Sequence, residues 1–129
     1  PEPRVGLAAL AGGLHRLSRQ IPMKQAMGMI LTGRRVMAEE GYKLGFVTEV
    51  VHEGEALAGA RRWADLILEC SPVSIRTSKD VVMRGGDHAS VEDAFNGDYQ
   101  SVEDMRNSLD FIEGPLAFSE KRPPDWKGR

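Results

Sequence analysis

Residues 46–51, FVTEVV, constrain the fold more than any other stretch of this sequence. The run alternates and is rich in β-branched side chains, so it reads as a strand. Everything around it reads as helix. A lone strand leaves its backbone N–H and C=O groups without ladder partners unless another sheet receives it. The chain is therefore expected to be the edge of a larger sheet-containing structure, not a self-sufficient α/β domain.

The helical segments are marked by periodicity and punctuation. Leu14, Leu17, Ile21, Met27, Ile30 and Leu31 are spaced as in a helix, interrupted at Pro22 and stopped at Thr32-Gly33. Two short helices end to end are expected there, and AEEGYKLG adds a third, closed by Gly45. Beyond His52, Leu57, Ala60, Ala64 and Ile67 form one apolar stripe, widened by Trp63 and Leu66. Ser71-Pro72 is a helix start, with Ser as N-cap and Pro where its missing N–H costs nothing. Gly85-Gly86 ends that helix, and Ser90 with Asp93 opens the next as a capping box. Val91, Ala94, Phe95, Val102 and Met105 are expected on a common face. The organisation expected is an active-site edge over residues 1–52 and a helical region over 53–129.

Bulk properties narrow the function classes. A chain of 129 residues with a formal charge of -2 offers no net basic face for nucleic acid or an anionic membrane. No apolar run approaches the roughly 20 residues of a membrane helix, and a cytoplasmic location is expected. Cys70 is the single cysteine, without Cys or His at metal spacing, so neither a disulfide nor a metal site is expected.

The opening PEPRVGLAALAGGLHRL, then AMGMILTGRRVMAEEGYKLGFVTEVV, then the closing DFIEGPLAFSEKRPPDWKGR follow one another in an order that resembles the C-terminal half of the crotonase (enoyl-CoA hydratase/isomerase) superfamily. The tail looks most like the carnitinyl-CoA dehydratase branch. The resemblance implies an α/β spiral of ββα units, of which this chain would be the mainly helical part with about one strand. It implies a helical region that builds a homotrimer or a dimer of trimers. It also implies an acyl-CoA substrate, hydration or dehydration through an enolate held by two backbone N–H donors, and no cofactor beyond the CoA of the substrate. In relatives those donors and a first glutamate precede the stretch that begins with Pro1.

On this resemblance Glu2 is the second catalytic glutamate, and Pro3 is expected to bias it toward an extended conformation. Leu10, Gly12 and Met27 are implied substrate-binding positions, with Ile30 an alternative to Met27. Many hydratases carry Pro then Gly where Ala9 and Leu10 stand, the Gly backbone helping to position water; Leu10 keeps an N–H but adds a side chain. That departure leaves dehydratase, isomerase and other acyl-CoA reactions open, together with a non-catalytic assembly or acyl-CoA-binding module. Phe118 and Lys121, three apart and so expected on one helical face, are implied contacts for the adenine and a phosphate of CoA, with Pro123-Pro124 stopping the helix after them. The competing reading has Lys121 and Arg122 complementing the helix dipole.

Other residues have simpler expectations. GLAALAGG lacks the Lys-Ser/Thr of a phosphate loop. His15 and Ser18 have no carboxylate to orient them as base and nucleophile. His52, His88, Arg34, Arg35, Arg61 and Arg62 are expected in solvent. Met23, Met27, Met29 and Met37 are expected as gap-fillers, Met37 standing where relatives often place a capping Ser or Thr.

Overall fold

A computed structural model describes residues 1–129. The chain contains a 3-10 turn, Glu2–Val5, and eight α-helices: α1 Gly13–Gln20, α2 Met23–Thr32, α3 Ala38–Leu44, α4 Ala56–Leu68, α5 Pro72–Gly85, α6 Val91–Phe95, α7 Gln100–Arg106 and α8 Leu109–Glu120. Two compact units result, Pro1–Gly59 and Ala60–Arg129. They divide inside α4, whereas the sequence reading divides before it.

The expected strand does not form. Residues 46–52 are irregular, and Phe46 and Val47 instead donate their N–H groups to the carbonyl of Gly41 at 3.1 and 3.3 Å. No other segment of the chain is extended beside them, so a β-ladder has no second side. Gly41 sits beneath the same two side chains; a Cβ there would meet Val47 at 2.7 Å.

Most helix ends lie where the punctuation puts them. In the first unit Gly33 and Gly45 close α2 and α3 in left-handed conformations, φ 57° and 91°, a region glycine enters without steric cost. Met37 is the N-cap of α3 and supplies no side-chain cap. In the second unit Ser71 Oγ accepts from Ser74 N–H at 3.3 Å to open α5. Ser90 Oγ accepts from Asp93 N–H at 3.0 Å and donates to the Asp93 carboxylate at 2.7 Å, opening α6.

The face expected to run from Val91 to Met105 is broken. Asn96-Gly97-Asp98 separates α6 from α7, and Tyr99 folds back so that its hydroxyl donates to the Ala94 carbonyl at 2.8 Å. A Cβ on Gly97 would lie 2.9 Å from the Tyr99 ring, so only glycine admits this fold-back. Val91 and Phe95 consequently point into solvent, while Val102 and Met105 are half-buried.

The buried hydrophobic set is small: Ile21 and Ala26 in the first unit, Val73, Tyr99 and Ala117 in the second. Accessible area is 10306 Å², whereas a compact 14.2 kDa monomer exposes about 6,800 Å², and two separate units of half that mass about 8,200 Å² between them. Large apolar side chains contribute to it: Leu57, Trp63, Leu66 and Ile67 of α4 and Phe111, Ile112 and Leu116 of α8 are all exposed. No helix is long and apolar enough to cross a membrane.

Candidate active site

The 3-10 turn starts the site. Arg4 N–H donates to the Pro1 carbonyl at 3.0 Å and Leu7 N–H to the Glu2 carbonyl at 2.9 Å, while Gly6 turns the chain at φ 76°. Glu2 is therefore in a turn, not extended. The turn's own hydrogen bonds outweigh the bias that a following proline imposes, and Pro3 loses no bond because first-turn N–H groups have no helical partner. Arg4 Nε donates to the Thr32 carbonyl at 2.9 Å, fastening the turn to the end of α2.

Between this turn, α1 and α2 lies a hollow of about 610 Å³. Leu7, Leu14, Leu17, Met29, Ile30 and Leu31 give it apolar walls, and Glu2 brings the sole carboxylate to its lining. The Glu2 pKa is lowered from 4.5, first by its own backbone N–H and then by the hydrogen bond and charge of the Pro1 ammonium 3.0 Å away. Arg34, also at the hollow, is occupied: its Nη1 and Nη2 donate to Glu40 at 2.9 and 2.5 Å, which lowers the Glu40 pKa and ties α2 to α3. This forked pair replaces the solvated Arg34 of the sequence reading.

The other candidate residues are dispersed. Leu10 is 71% exposed and outside the lining of the hollow, and its N–H is spent on the Ala8 carbonyl at 2.7 Å. Leu10 thus keeps its N–H, as expected, but the turn uses it internally. Gly12, at φ 101°, borders a separate hollow of about 360 Å³ under the Arg16 side chain. At Gly12 the positive φ, more than the nearby and movable Arg16 guanidinium, is what favours glycine. Met27 is 42% exposed and not in the lining of the main hollow; Ile30 is in it. Ser18 Oγ donates to the Leu14 carbonyl at 2.7 Å, a helix-internal bond and no nucleophile–base pair with His15. No group of three or more His, Cys, Asp or Glu could hold a metal ion.

In the second unit, Phe118 and Lys121 do not share a helical face. Helix α8 ends at Glu120, because Lys121 adopts the left-handed conformation, φ 55°, as C-cap. It is the chain's one non-glycine residue at positive φ. The stop thus precedes Pro123-Pro124. Phe118 is 88% exposed. Arg122 does not spend its charge on the helix dipole; Nη1 and Nη2 donate to Glu113 at 2.6 and 3.0 Å and Nε to Glu120 at 2.6 Å. Glu113 also accepts from Asp125 N–H at 2.7 Å, and with Arg122 as the main cause its pKa falls to about 2.

Two residues that the sequence reading passed over hold the tail. Asp110 is buried on the first turn of α8, where its carboxylate accepts from Ser71 Oγ at 2.7 Å, Lys127 N–H at 2.7 Å and Gly128 N–H at 3.1 Å. Burial pushes its pKa up; the Ser71, Lys127 and Gly128 bonds and the Arg76 charge pull it down, and the pull wins. Trp126 Nε1 donates to the Glu69 carbonyl at 2.9 Å, its ring 3.2 Å from where a Gly114 Cβ would stand.

Comparison with known proteins agrees with this architecture. The profile of the enoyl-CoA hydratase/isomerase family matches residues 1–129. Carnitinyl-CoA dehydratases of Escherichia coli and Proteus mirabilis are 37% and 35% identical over the whole chain, which covers 51% of each. Among solved structures, an enoyl-CoA hydratase of Mycobacterium tuberculosis superposes with a TM-score of 0.93 at 33% identity, over 100% of this chain and 51% of that one. An enoyl-CoA hydratase/isomerase of Mycobacterium paratuberculosis gives 0.88 at 30% identity, over 98% and 50%. The chain thus spans about half the length of its relatives; the reading of that half as the C-terminal one is not carried by these matches. On this footing, the chain belongs to the enoyl-CoA hydratase/isomerase, or crotonase, family.

Proposed function

We propose that these residues are part of an enzyme that adds water to, or removes it from, an acyl-CoA thioester through an oxyanion-stabilised enolate. The observation that carries the reading is the apolar hollow with Glu2 as its one carboxylate, in a chain matched by the family over residues 1–129. An aliphatic acyl chain fits walls of Leu, Ile and Met by burial, and a carboxylate at their edge can accept or return the proton on carbon or water. Glu2 is favoured in its ionised form, as a base must be before it acts. Where the Pro1 nitrogen is joined to preceding chain it is a tertiary amide without a proton, so the ammonium contribution disappears and the Glu2 pKa rises toward its ordinary value.

The remaining parts of the reading fall to the rest of the enzyme. The ββα spiral, the two oxyanion N–H donors and the partner glutamate belong to chain outside these residues, and catalysis uses no metal or redox cofactor. Leu10 and Gly12 shape the loop beside the hollow, and Met27 meets substrate from the exposed side of α2. Phe118 and Lys121 meet the adenine and a phosphate of CoA across a subunit boundary. Their exposure, and the absence of any partner for the Lys121 ammonium, support this. The exposed apolar residues of α4 and α8 support self-association, as trimer or dimer of trimers. A cytoplasmic enzyme is the setting this chemistry suits.

The test is turnover by the protein as encoded by its gene, with crotonyl-CoA and crotonobetainyl-CoA followed by loss of enoyl-thioester absorbance. Hydration of either supports the reading. Binding of both without turnover favours an acyl-CoA-binding module, and neither binding nor turnover contradicts the proposal.

A further inference from the structure

The cations of the first unit are gathered, not mixed with acids. From Pro3 to Ala38 the chain carries Arg4, Arg16, Arg19, Lys24, Arg34 and Arg35 with no Asp or Glu, so the formal charge of -2 conceals a basic stretch. Arg4, Arg34 and Arg35 line one hollow of about 620 Å³ together with Pro1 and Gly33, and no carboxylate lines it. Gly33 makes this gathering possible. It turns the chain at φ 57° directly after α2, and a Cβ there would stand 3.2 Å from Pro1 Cα and 3.4 Å from Arg4 Cγ. The guanidinium groups are not equivalent. Arg34 is held by Glu40 through both terminal nitrogens. Arg4 is held only by its Nε, which donates to the Thr32 carbonyl at 2.9 Å, and its terminal nitrogens are left without a partner. Arg35 is exposed, with no ion pair and no side-chain hydrogen bond.

We propose that Arg4 and Arg35 form a site, separate from that of CoA, for a small dianionic oxyanion of the inorganic phosphate class, in the hollow that Gly33 and Arg34 complete. A guanidinium presents its N–H donors in one plane, at a spacing that matches the oxygens of such a group, and charge-assisted bonds of this kind are strong ones. Arg4 is prepared for the task. Its Nε bond fixes the side chain, so less rotamer freedom is lost when a ligand arrives. Arg34 has its charge balanced by Glu40, which is not part of the lining, so the attraction comes from Arg4 and Arg35. Without an anion their like charges stand uncompensated on one hollow, and a dianion compensates both. Where Pro1 is joined to preceding chain its ammonium charge is absent, and the two guanidinium groups remain. None of Leu10, Gly12, Met27, Phe118 and Lys121, the positions proposed to meet the substrate, lines this hollow. It adjoins the apolar hollow, which shares Pro1, Gly33 and Arg34, yet requires none of the chemistry proposed for Glu2.

The experiment is titration calorimetry of inorganic phosphate into the gene-encoded protein in phosphate-free buffer, with chloride at matched ionic strength as the monoanion control. Saturable phosphate binding is expected, with a dissociation constant of about 1 mM or tighter, and none for chloride. Arg35→Gln is expected to weaken phosphate binding about tenfold. Because the Arg35 side chain bonds to nothing in the chain, its loss leaves the fold intact, which thermal unfolding checks. Arg4→Gln is expected to weaken binding at least as much. Lys24→Gln removes a cation of the same basic stretch that does not line the hollow, and should change the affinity by less than about twofold. Absence of saturable binding overturns the proposal, as does an Arg35→Gln protein that binds phosphate like the unaltered one. Equal weakening by Lys24→Gln would mean a diffuse basic field in place of a site. Loss of phosphate binding once CoA is bound would mean that these arginines serve the phosphates of the substrate. Either of those results also contradicts the proposal.

Discussion

Pro1–Gly59 and Ala60–Arg129 hold their helices by different means. In the first unit the joints are backbone turns: Gly6, Gly12, Gly33 and Gly45 each adopt positive φ, and side chains add mainly the Arg4 bond to Thr32 and the Arg34–Glu40 fork. In the second, side chains reach far along the sequence. Trp126 bonds to Glu69, 57 residues away, Arg76 Nη2 donates to the Gly128 carbonyl, 52 away, and Asp110 gathers Ser71 and the amides of residues 127 and 128. A region built on glycine turns leaves its apolar side chains around a hollow where a ligand can approach the backbone closely. A region strapped by carboxylates fixes a chain end and presents its exposed apolar faces outward.

The largest contrast is expected in activity. The 129-residue chain by itself should show no measurable turnover of crotonyl-CoA, while the gene-encoded protein turns it over, because in this account the oxyanion donors lie outside these residues and oxyanion stabilisation is usually the largest catalytic contribution. Turnover by the isolated chain would place the whole site within it.

Next comes Asp110. Asp110→Ala leaves the Ser71 hydroxyl and two tail amides without their acceptor, at a cost of about 2–3 kcal/mol. Hydrogen exchange should show faster exchange at Lys127 and Gly128 with the amides of α1 and α2 unaffected. Equal acceleration in both units would erase the distinction between them.

Acid should act on the same strap. Glu113 has a folded pKa of about 2 against an ordinary value of 4.5, so its contribution to stability is complete above 4.5 and is lost as pH falls toward 2. Asp110, also lowered, adds to the loss in the same direction. Fluorescence of Trp126, with Trp63 replaced by Phe, should report the release of the tail over that range, and Glu113→Gln should flatten the response. A response unchanged by Glu113→Gln would assign it elsewhere.

The smallest effect belongs to the first unit. Met37 is the N-cap of α3 without a side-chain acceptor, so Met37→Thr should raise stability by about 0.5–1 kcal/mol in thermal unfolding. No gain would mean that the α3 N–H groups already have adequate partners in water.

Legibility in the sequence follows the distance over which each feature is decided. Caps and stops that act over three or four residues, at Thr32-Gly33, Gly45, Ser71-Pro72 and Ser90, were readable because one residue's conformational preference decides each. The strand at residues 46–51 was not, since its formation depends on a partner that local alternation says nothing about. The break between α6 and α7 was announced by Asn96-Gly97-Asp98, a turn signature that the shared apolar spacing obscured. Glu2 beside an apolar hollow was approached through the family resemblance, but its 3-10 turn was not, and Leu10 lost its N–H to the Ala8 carbonyl. Arg122 with Glu113, nine residues apart, fits no helical spacing, and Asp110 meets its partners 17 to 39 residues away. A lone acid in the first turn after the N-cap Ser108 was the available hint, and it points equally to the helix dipole.

Glu2 carries the account, so its removal is the most direct measurement. Glu2→Gln keeps size and shape while abolishing the carboxylate that takes or returns the proton. In the gene-encoded protein, with far-UV circular dichroism unchanged, turnover of crotonyl-CoA or crotonobetainyl-CoA should fall by about two to four orders of magnitude, the range that general acid–base catalysis supplies. Turnover equal to that of the unaltered protein would remove Glu2 from the mechanism and leave the hollow without its chemistry.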